Sequence, residues 1–317
     1  MGIAVADIII RSRRAIERTT RQRFVSIACI GIFLVSAVFP ALAQSDNRIR
    51  PTVIAEERKS PNVAGGAYLK LRYKCPAETD PVASRVFSEY GAVLAASGVV
   101  RPDRCVYENE KDVSALQSRL QPTSAEIRGA TIELQRPAML ALLKAQAEAA
   151  EFDKKITPLD GSVAGKRTFA DTVRLWNSRF IPALDYWVKR GRISAEDADS
   201  CRLAPFAEQV RRVIEWEQQK IYFSTNMSRS IFSSVAPPGT SQHLFLLAFD
   251  VAEYRDPNVV SILNRNGWYQ TVLNDEPHFT FVGVAASELP RRGLKLVYQN
   301  GTAYWIPNLP PSSPPAK

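Results

Sequence analysis

Apolar and polar positions recur along the chain with the spacings of helices and short strands. Asp80 and Pro81 begin a helical pattern that continues to Gly98, because Asp favours the N-cap of a helix and Pro favours its first turn. Residues 137–154 form an Ala- and Leu-rich run that predicts a long helix. Residues 170–220 are also largely helical in pattern. Shorter helices are predicted at residues 112–120 and 257–266.

Apolar runs and alternating stretches predict the strands. Residues 244–251 are almost continuously apolar, which is typical of a buried strand, and residues 279–284 predict another. An Asn-Gly pair, the preferred sequence of a two-residue hairpin turn, separates the strand-like segments 294–299 and 302–306. Further strands are predicted at residues 67–73, 104–108 and 131–134. Together these elements predict an α+β fold, in which a small antiparallel sheet with flanking helices is preceded by a small α/β module.

The N-terminal region has the pattern of an export signal. A basic stretch from Arg11 to Arg23 precedes an apolar run at residues 25–40, and the Ala-Leu-Ala sequence at residues 41–43 is typical of a signal-peptide cleavage site. The apolar run is shorter than the roughly 20 residues of a membrane-spanning helix. We therefore expect an exported, periplasmic protein with a signal peptide at residues 1–43 and no membrane span after cleavage; an uncleaved anchor is the alternative.

Four segments follow the predicted signal peptide. Residues 44–63 are polar and contain prolines, which is typical of an extended linker. Residues 64–122 form the predicted small α/β module, to which the sequence assigns no role. Residues 130–307 form a larger predicted domain that contains the candidate chemistry described below. Residues 308–317 are rich in proline and serine and are predicted to be disordered.

The charge of the chain argues against one class of partner. The formal net charge is +9 at pH 7. Residues 1–43 carry six arginines and two acidic residues, a net +4, so +5 remains after removal of the predicted signal peptide. This modest surplus suits an anionic polymer of the cell wall, but it forms no dense basic stripe. We therefore expect no nucleic-acid binding.

The two histidines of the chain each lie in a short motif with acidic residues. A catalytic zinc site usually takes three protein ligands from His, Asp, Glu and Cys and leaves a fourth position for water. His243, Asp250 and His278 supply such a set. Asp275 and Glu276 stand just before the second histidine, and each is a candidate general base.

The spacing of these residues resembles a group of zinc peptidases that includes lysostaphin, the D-alanyl-D-alanine carboxypeptidases and the hedgehog fold. The carboxypeptidase branch, including the VanY type, has the motifs Ser-x-His-x-x-Gly-x-Ala-x-Asp and Glu-x-Trp-His. Residues 241–250 match the first motif except for Leu246 at the glycine position. In the second motif, Asp275 and Pro277 replace the glutamate and the tryptophan before His278.

The resemblance implies a zinc-dependent, D-alanyl-D-alanine carboxypeptidase-like peptidase in which the two histidines and Asp250 bind Zn²⁺. Ser241 would support the site. Residues 165–169 are similar to the family segment whose arginine faces the substrate carboxylate or the developing oxyanion, which indicates Arg167. Arg229 is the alternative, because it lies closer to the first zinc motif in the sequence.

Two alignments of the second motif leave the general base open. Counting three residues before His278, as in Glu-x-x-His, gives Asp275, which we favour. If the tryptophan of the family is treated as deleted, Glu276 takes the position instead. Because Asp is one methylene shorter than Glu, a loop that uses Asp275 as the base must approach the metal more closely.

The resemblance and the export signal together imply that the substrates are peptidoglycan stem peptides or their cross-links, cleaved by a carboxypeptidase or an endopeptidase. The alternative from another class is a non-catalytic zinc-containing module that binds peptidoglycan or a protein. Asp275 in place of Glu and Leu246 in place of Gly favour this alternative. A third interpretation, a structural envelope protein without a metal, would make both histidines ordinary core residues.

Three cysteines remain after residue 43, and an exported protein usually pairs two of three. Cys75 ends one predicted strand and Cys105 begins another in the same small module. We therefore expect these two to form a disulfide and Cys201 to be a buried free thiol. None of the three lies in a Cys-x-x-Cys sequence, which argues against a zinc site with cysteine ligands.

We predict that the exported protein contains a Cys75–Cys105 disulfide. The bond would close a loop of about 30 residues, and the lost chain entropy of the unfolded state would stabilise the fold by roughly 3–4 kcal/mol. Peptide mapping without reductant measures the linkage directly. Free thiols at both positions in exported protein would show that the prediction is wrong.

Overall fold

The computed structural model of the protein describes residues 80–309. The predicted signal peptide, the linker, the strand at residues 67–73 and Cys75 lie outside these residues, as does the tail from residue 310 onwards. None of the described helices is both long enough and apolar enough to cross a membrane.

Helices make up most of the regular structure in the described part of the chain. Asp80, Asn109, Thr168 and Ser194 cap four of them, each with a side-chain oxygen that accepts a backbone N–H. The α-helices are α1 (Pro81–Tyr90), α2 (Glu110–Leu120), α3 (Arg136–Glu151), α4 (Phe169–Lys189), α5 (Ala195–Leu203), α6 (Phe206–Gln218) and α7 (Pro257–Arg265). Short 3₁₀ helices cover Gly91–Ala95, Gly161–Ala164, Ile231–Ser233, Gln242–Phe245 and Ala286–Arg292.

The strands of residues 80–309 form three small sheets with antiparallel pairing throughout. Two of the sheets are hairpins, β1 with β2 and β6 with β7. The central sheet has the strand order β3–β5–β4. The α+β class predicted from the sequence is therefore confirmed. The strands are β1 (Pro122–Ile127), β2 (Ala130–Gln135), β3 (Ala248–Asp250), β4 (Trp268–Gln270), β5 (His278–Phe281), β6 (Leu294–Gln299) and β7 (Thr302–Pro307).

The structure corrects several predicted element boundaries. The helix that begins after Asp80 ends at Tyr90 and continues only as a 3₁₀ turn. Residues 104–108, predicted as a strand, have no regular structure. In the apolar run at 244–251 only β3 is a strand, because the preceding residues form a 3₁₀ turn buried in the core. An apolar run records burial, and burial alone does not distinguish a strand from a packed turn.

Two hydrophobic cores lie within residues 80–309. The first includes Phe87 of α1, Leu116 of α2 and Leu142 of α3, together with Phe249 and Phe279 of the central sheet. Residues from the predicted small module and from the predicted larger domain therefore pack into one core. The second core is formed by α1, α4, α5, α6 and the segment 221–235. It contains a series of aromatic rings: Trp176, Phe180, Trp216, Phe223 and Phe232.

The described cysteines differ in chemical state. Cys105 is disulfide-bonded, and its predicted partner Cys75 lies outside the described residues. Cys201 is a buried free thiol, as the sequence predicts. Burial in the second core raises the pKa of the Cys201 thiol to about 11, which keeps it protonated and unreactive at neutral pH.

Gly239 fixes the loop that leads to the first histidine motif. Its φ is +79°, and its carbonyl oxygen accepts a hydrogen bond from the backbone N–H of Tyr107 at 3.0 Å. A Cβ at this position would lie 1.7 Å from the carbonyl oxygen of Tyr107. The close approach of these two backbone segments therefore requires glycine.

We predict that Gly239→Ala lowers the free energy of unfolding by more than about 3 kcal/mol, because the steric clash adds to the cost of a left-handed backbone. Gly191→Ala is the matched control: its φ is +66°, and a Cβ there would have no neighbour within 4 Å. This control should lose only about 1–2 kcal/mol. Urea denaturation measures both values, and equal losses would contradict the packing argument.

Candidate metal centre

The central sheet places two candidate ligands side by side. Asp250 is the last residue of β3 and His278 is the first residue of β5, and the register pairs them directly across the two strands. Directly opposed residues of an antiparallel pair project from the same face of the sheet. The sheet therefore brings the carboxylate and the imidazole together without any contribution from flexible loops.

A tight turn brings His243 to the same place. His243 lies in the 3₁₀ helix Gln242–Phe245, and Ser241 caps this helix by accepting the His243 N–H. The chain then reverses at Leu246, whose φ of +58° and ψ of +33° lie in the left-handed region. Glycine adopts this conformation freely, whereas leucine carries a cost of about 1–2 kcal/mol. The buried Leu246 side chain offsets this cost.

The three candidate ligand atoms form a nearly equilateral triangle. His243 Nε2 lies 3.3 Å from Asp250 Oδ1, His278 Nδ1 lies 3.2 Å from the same oxygen, and the two nitrogens are 3.2 Å apart. Around a tetrahedral zinc with bonds of about 2.0–2.1 Å, neighbouring ligand atoms are about 3.3–3.4 Å apart. Nitrogen and carboxylate donors at these distances fit zinc without rearrangement.

The protonation state of His243 also suits a metal. Its Nδ1 lies 2.8 Å from the carbonyl oxygen of Gly165, which can only accept, so Nδ1 carries the proton and Nε2 presents a lone pair. Burial, and secondarily the positive charge of Arg167, lowers the pKa of His243 to about 4. The ring is therefore neutral at pH 7, which is the form that binds metal ions.

Asp250 is held as a carboxylate. Burial disfavours its charge, but the neighbouring imidazoles of His243 and His278 and the positive charge of Arg167 outweigh burial and hold the pKa of Asp250 well below its usual range. Arg167 donates to Asp250 Oδ2 at 2.5 Å, so this oxygen is occupied while Oδ1 faces the two imidazoles. The predicted catalytic arginine therefore pairs with a candidate ligand, and it also lines the cavity that contains both histidines.

The two candidate bases point in different directions. Asp275 lines the same small cavity as both histidines, and its carboxylate makes no hydrogen bond or ion pair with any described residue. Burial raises the pKa of Asp275 to about 6. The carboxylate of Glu276 instead pairs with the exposed Arg255 at 3.4 Å. Of the two, Asp275 lies in the cavity with the two histidines.

Of the remaining candidate residues, Ser241 lines this cavity and Arg229 does not. The hydroxyl oxygen of Ser241 already accepts the N–H of His243 at 3.4 Å. Arg229 is exposed, its guanidinium has no ion-pair partner among the described residues, and its charge lowers the pKa of Asp275. The cavity has a volume of about 40 Å³, enough to admit water beside the candidate ligands.

Two further residues hold the histidines from behind, and the sequence motifs do not predict them. Gly165 accepts from His243 through its backbone, which leaves no signal in the sequence. Gln242 lies 2.9 Å from His278 Nε2 through its side-chain Oε1, although it is next to His243 in the chain. Gln242 lies between Ser241 and His243, at the unspecified position of the Ser-x-His motif. A motif that specifies no residue there gives no reason to expect a buried contact.

We predict that the purified protein binds about one Zn²⁺ per chain and that His243→Ala and Asp250→Asn lose it. Removing a ligand should weaken binding more than the roughly 10–100-fold typical of losing a partner behind a ligand. Asp256→Asn is the matched control, because Asp256 pairs with Lys154 at 2.9 Å and caps α7, and Asn caps equally well. Elemental analysis and chelator competition measure the effect. Full zinc retention in both site variants would contradict the assignment.

Comparisons with known proteins give little further information. No protein-family model matches the sequence, and no curated protein sequence matches it. Among solved structures, the chain is similar to a vancomycin-resistance D,D-pentapeptidase, VanY from a VanB-type resistance cassette, in complex with Zn(II). The TM-score is 0.30 and the sequence identity 17%, over 52% of this chain and 82% of that chain.

Proposed function

We propose that this chain is a zinc metallopeptidase that hydrolyses peptide bonds of peptidoglycan, as a D,D-carboxypeptidase or an endopeptidase. The observation that carries the proposal is the triangle of His243 Nε2, Asp250 Oδ1 and His278 Nδ1, with separations of 3.2–3.3 Å. Beside it lies Asp275, a carboxylate without a partner among the described residues. A ligand set next to an unpaired base is the arrangement that hydrolysis requires.

The residues of the chain divide the chemistry among them. A zinc ion held by the triangle supplies Lewis acidity, which acidifies water and polarises a carbonyl group. A carboxylate oxygen of Asp275 accepts a proton from the attacking water and later returns it to the leaving amine. Its pKa of about 6 lies close to neutral pH, so Asp275 is mostly ionised there and still returns a proton readily.

The contacts of the two side chains favour Asp275 over Glu276 as the general base. Glu276 pairs with Arg255, so its carboxylate would have to leave that partner before it could reach the cavity. Asp275 already lines the cavity with His243 and His278. The shorter Asp side chain suits a base whose backbone lies close to the ligands, and the Asp275 carbonyl accepts the His278 N–H at 3.2 Å.

Arg229 is the better candidate for the cation that binds the substrate carboxylate. Arg167 donates hydrogen bonds to Asp250 Oδ2 at 2.5 Å and to the carbonyl oxygen of Val163 at 3.2 Å. We therefore assign Arg167 to holding Asp250 in place. Arg229 has no such partner among the described residues and lies near Asp275. An exposed, unpaired guanidinium can bind a carboxylate through two parallel hydrogen bonds.

The substrate class rests on the motif resemblance and on the predicted export signal. Peptidoglycan peptides lie in the compartment to which that signal directs a protein. The alternative, a zinc-containing module that binds peptidoglycan or a protein without cleavage, shares the metal centre. It differs in predicting no turnover, so a single experiment separates the two.

We predict that Asp275→Ala keeps the fold and the zinc but lowers D-Ala release, or cross-link cleavage, by about 10²–10⁴-fold, because a general base contributes that much to the rate. Glu276→Ala is the matched control and should change the rate only a few-fold, because its ion pair with Arg255 is largely exposed. Turnover is measured on muropeptides that end in D-Ala-D-Ala. The reverse ranking would make Glu276 the base. Full zinc with peptidoglycan binding and no cleavage would establish the binding module.

A further inference from the structure

The side chain of Gln242 connects the two histidine motifs. Gln242 precedes His243 in the sequence, yet its Oε1 lies 2.9 Å from Nε2 of His278, the ring nitrogen that faces away from the other candidate ligands. Gln242 is only 1% exposed, so no bulk water competes for this contact. A buried contact between a polar side chain and the back of a candidate metal ligand requires a physical explanation.

The orientation of the Gln242 amide is determined by its other contacts. Its Nε2 donates to the carbonyl oxygen of Tyr90 at 2.8 Å, and a carbonyl oxygen can only accept. A flipped amide would place two acceptors against each other at Tyr90. The amide nitrogen therefore faces Tyr90, and the amide oxygen faces His278.

Two buried threonines hold this orientation. The Thr280 hydroxyl donates to Gln242 Oε1, the Thr271 and Thr280 hydroxyls are 2.6 Å apart, and Gln242 Nε2 approaches Thr271 Oγ1 at 3.5 Å. With Thr280 donating to Gln242, the Thr271 hydroxyl donates to Thr280, which closes a ring of hydrogen bonds in one direction. Rings of this kind strengthen each member and resist rotation of the amide.

The fixed amide oxygen determines where His278 carries its proton. An oxygen acceptor at Nε2 favours the tautomer with a proton on Nε2, which leaves the Nδ1 lone pair facing Asp250 Oδ1 and His243 Nε2. In the competing tautomer the proton sits on Nδ1, where Asp250 Oδ1 at 3.2 Å would accept it. That proton would have to leave before a cation could bind.

We propose that Gln242 is a positioning residue that holds His278 in the Nε2–H tautomer and so prepares Nδ1 to bind a divalent cation. The proposal rests on the metal centre of the proposed function and adds the group that sets its affinity. Loss of a partner behind a histidine ligand typically weakens metal binding about 10–100-fold. Gln242 should therefore act on the Zn²⁺ dissociation constant without touching the ion.

Gln209 provides a matched control for the experiment. It is also a buried glutamine, its Oε1 accepts the ring N–H of Trp176 at 3.0 Å, and its Nε2 donates to the carbonyl oxygen of Ala204 at 3.0 Å. The two glutamines thus make the same kinds of bonds, but Gln209 lies in the second core among α4–α6. Gln209→Met and Gln242→Met remove the same groups from equally buried positions.

The first readout is the Zn²⁺ dissociation constant of the full chain, measured by chelator competition. We expect Gln242→Met to weaken binding about 10–100-fold and Gln209→Met to leave it within about two-fold. Gln242→Glu keeps an oxygen acceptor for His278, so we expect it to bind Zn²⁺ about ten-fold more tightly than Gln242→Met. Unchanged affinity in Gln242→Met, or equal losses in Gln242→Met and Gln242→Glu, would overturn the proposal.

The second readout is the tautomer of His278 in metal-free protein. With two histidines in the chain, long-range ¹H–¹⁵N spectra of the imidazoles contain only two ring systems. At about pH 8 we expect a proton on Nε2 of His278 in the parent protein and a shift toward Nδ1 in Gln242→Met. A proton on Nδ1 in the parent protein would refute the assignment.

Thr280→Val covers the case in which Gln242→Met does not fold. It removes the hydroxyl that donates to Gln242 Oε1 and should weaken Zn²⁺ binding several-fold; unchanged affinity would count against the proposal. These outcomes are independent of turnover. A chain that binds zinc in this manner without cleaving peptides would refute the peptidase and retain the role of Gln242.

Discussion

The antiparallel register of β3 and β5 is the constraint on which the candidate centre depends. The register pairs Asp250 with His278, and a slip of one residue would send one of these side chains to the opposite face of the sheet. β5 is the middle strand of its sheet, and all four of its residues are buried. A slip would therefore also displace Phe279 and Phe281 from the core, so hydrophobic packing fixes the geometry of the polar centre.

The loop after the 3₁₀ helix Gly161–Ala164 supports two of the three candidate ligands from behind. Gly165 accepts from His243 Nδ1, and two residues later Arg167 donates to Asp250 Oδ2. A Cβ at position 165 would lie 2.9 Å from the Ile132 side chain, so glycine lets this loop approach β2. A neutral imidazole and a charged carboxylate are thus oriented by one short segment, which links their positions.

The sequence predicts the α+β class, most helices and the β6–β7 hairpin, because capping residues, apolar periodicity and an Asn-Gly turn are local signals. It also names His243, Asp250 and His278 from their spacing, and the structure brings these three side chains within 3.2–3.3 Å of one another. Strand pairing, the Arg167–Asp250 ion pair and the contact of Gln242 with His278 join residues far apart in the chain. No local pattern encodes such contacts, so they required the structure.

Tyr90 gives the centre a connection to the beginning of the described chain. It is the last residue of α1; its carbonyl oxygen accepts from Gln242, and its hydroxyl donates to the carbonyl oxygen of Phe232 at 2.6 Å. Local opening of α1 would break both bonds at once. A cation that binds only the closed form therefore adds its binding free energy to the cost of that opening. Helix α1 and the metal centre then belong to one cooperative unit, and amide hydrogen exchange in α1 reports on the occupancy of the centre.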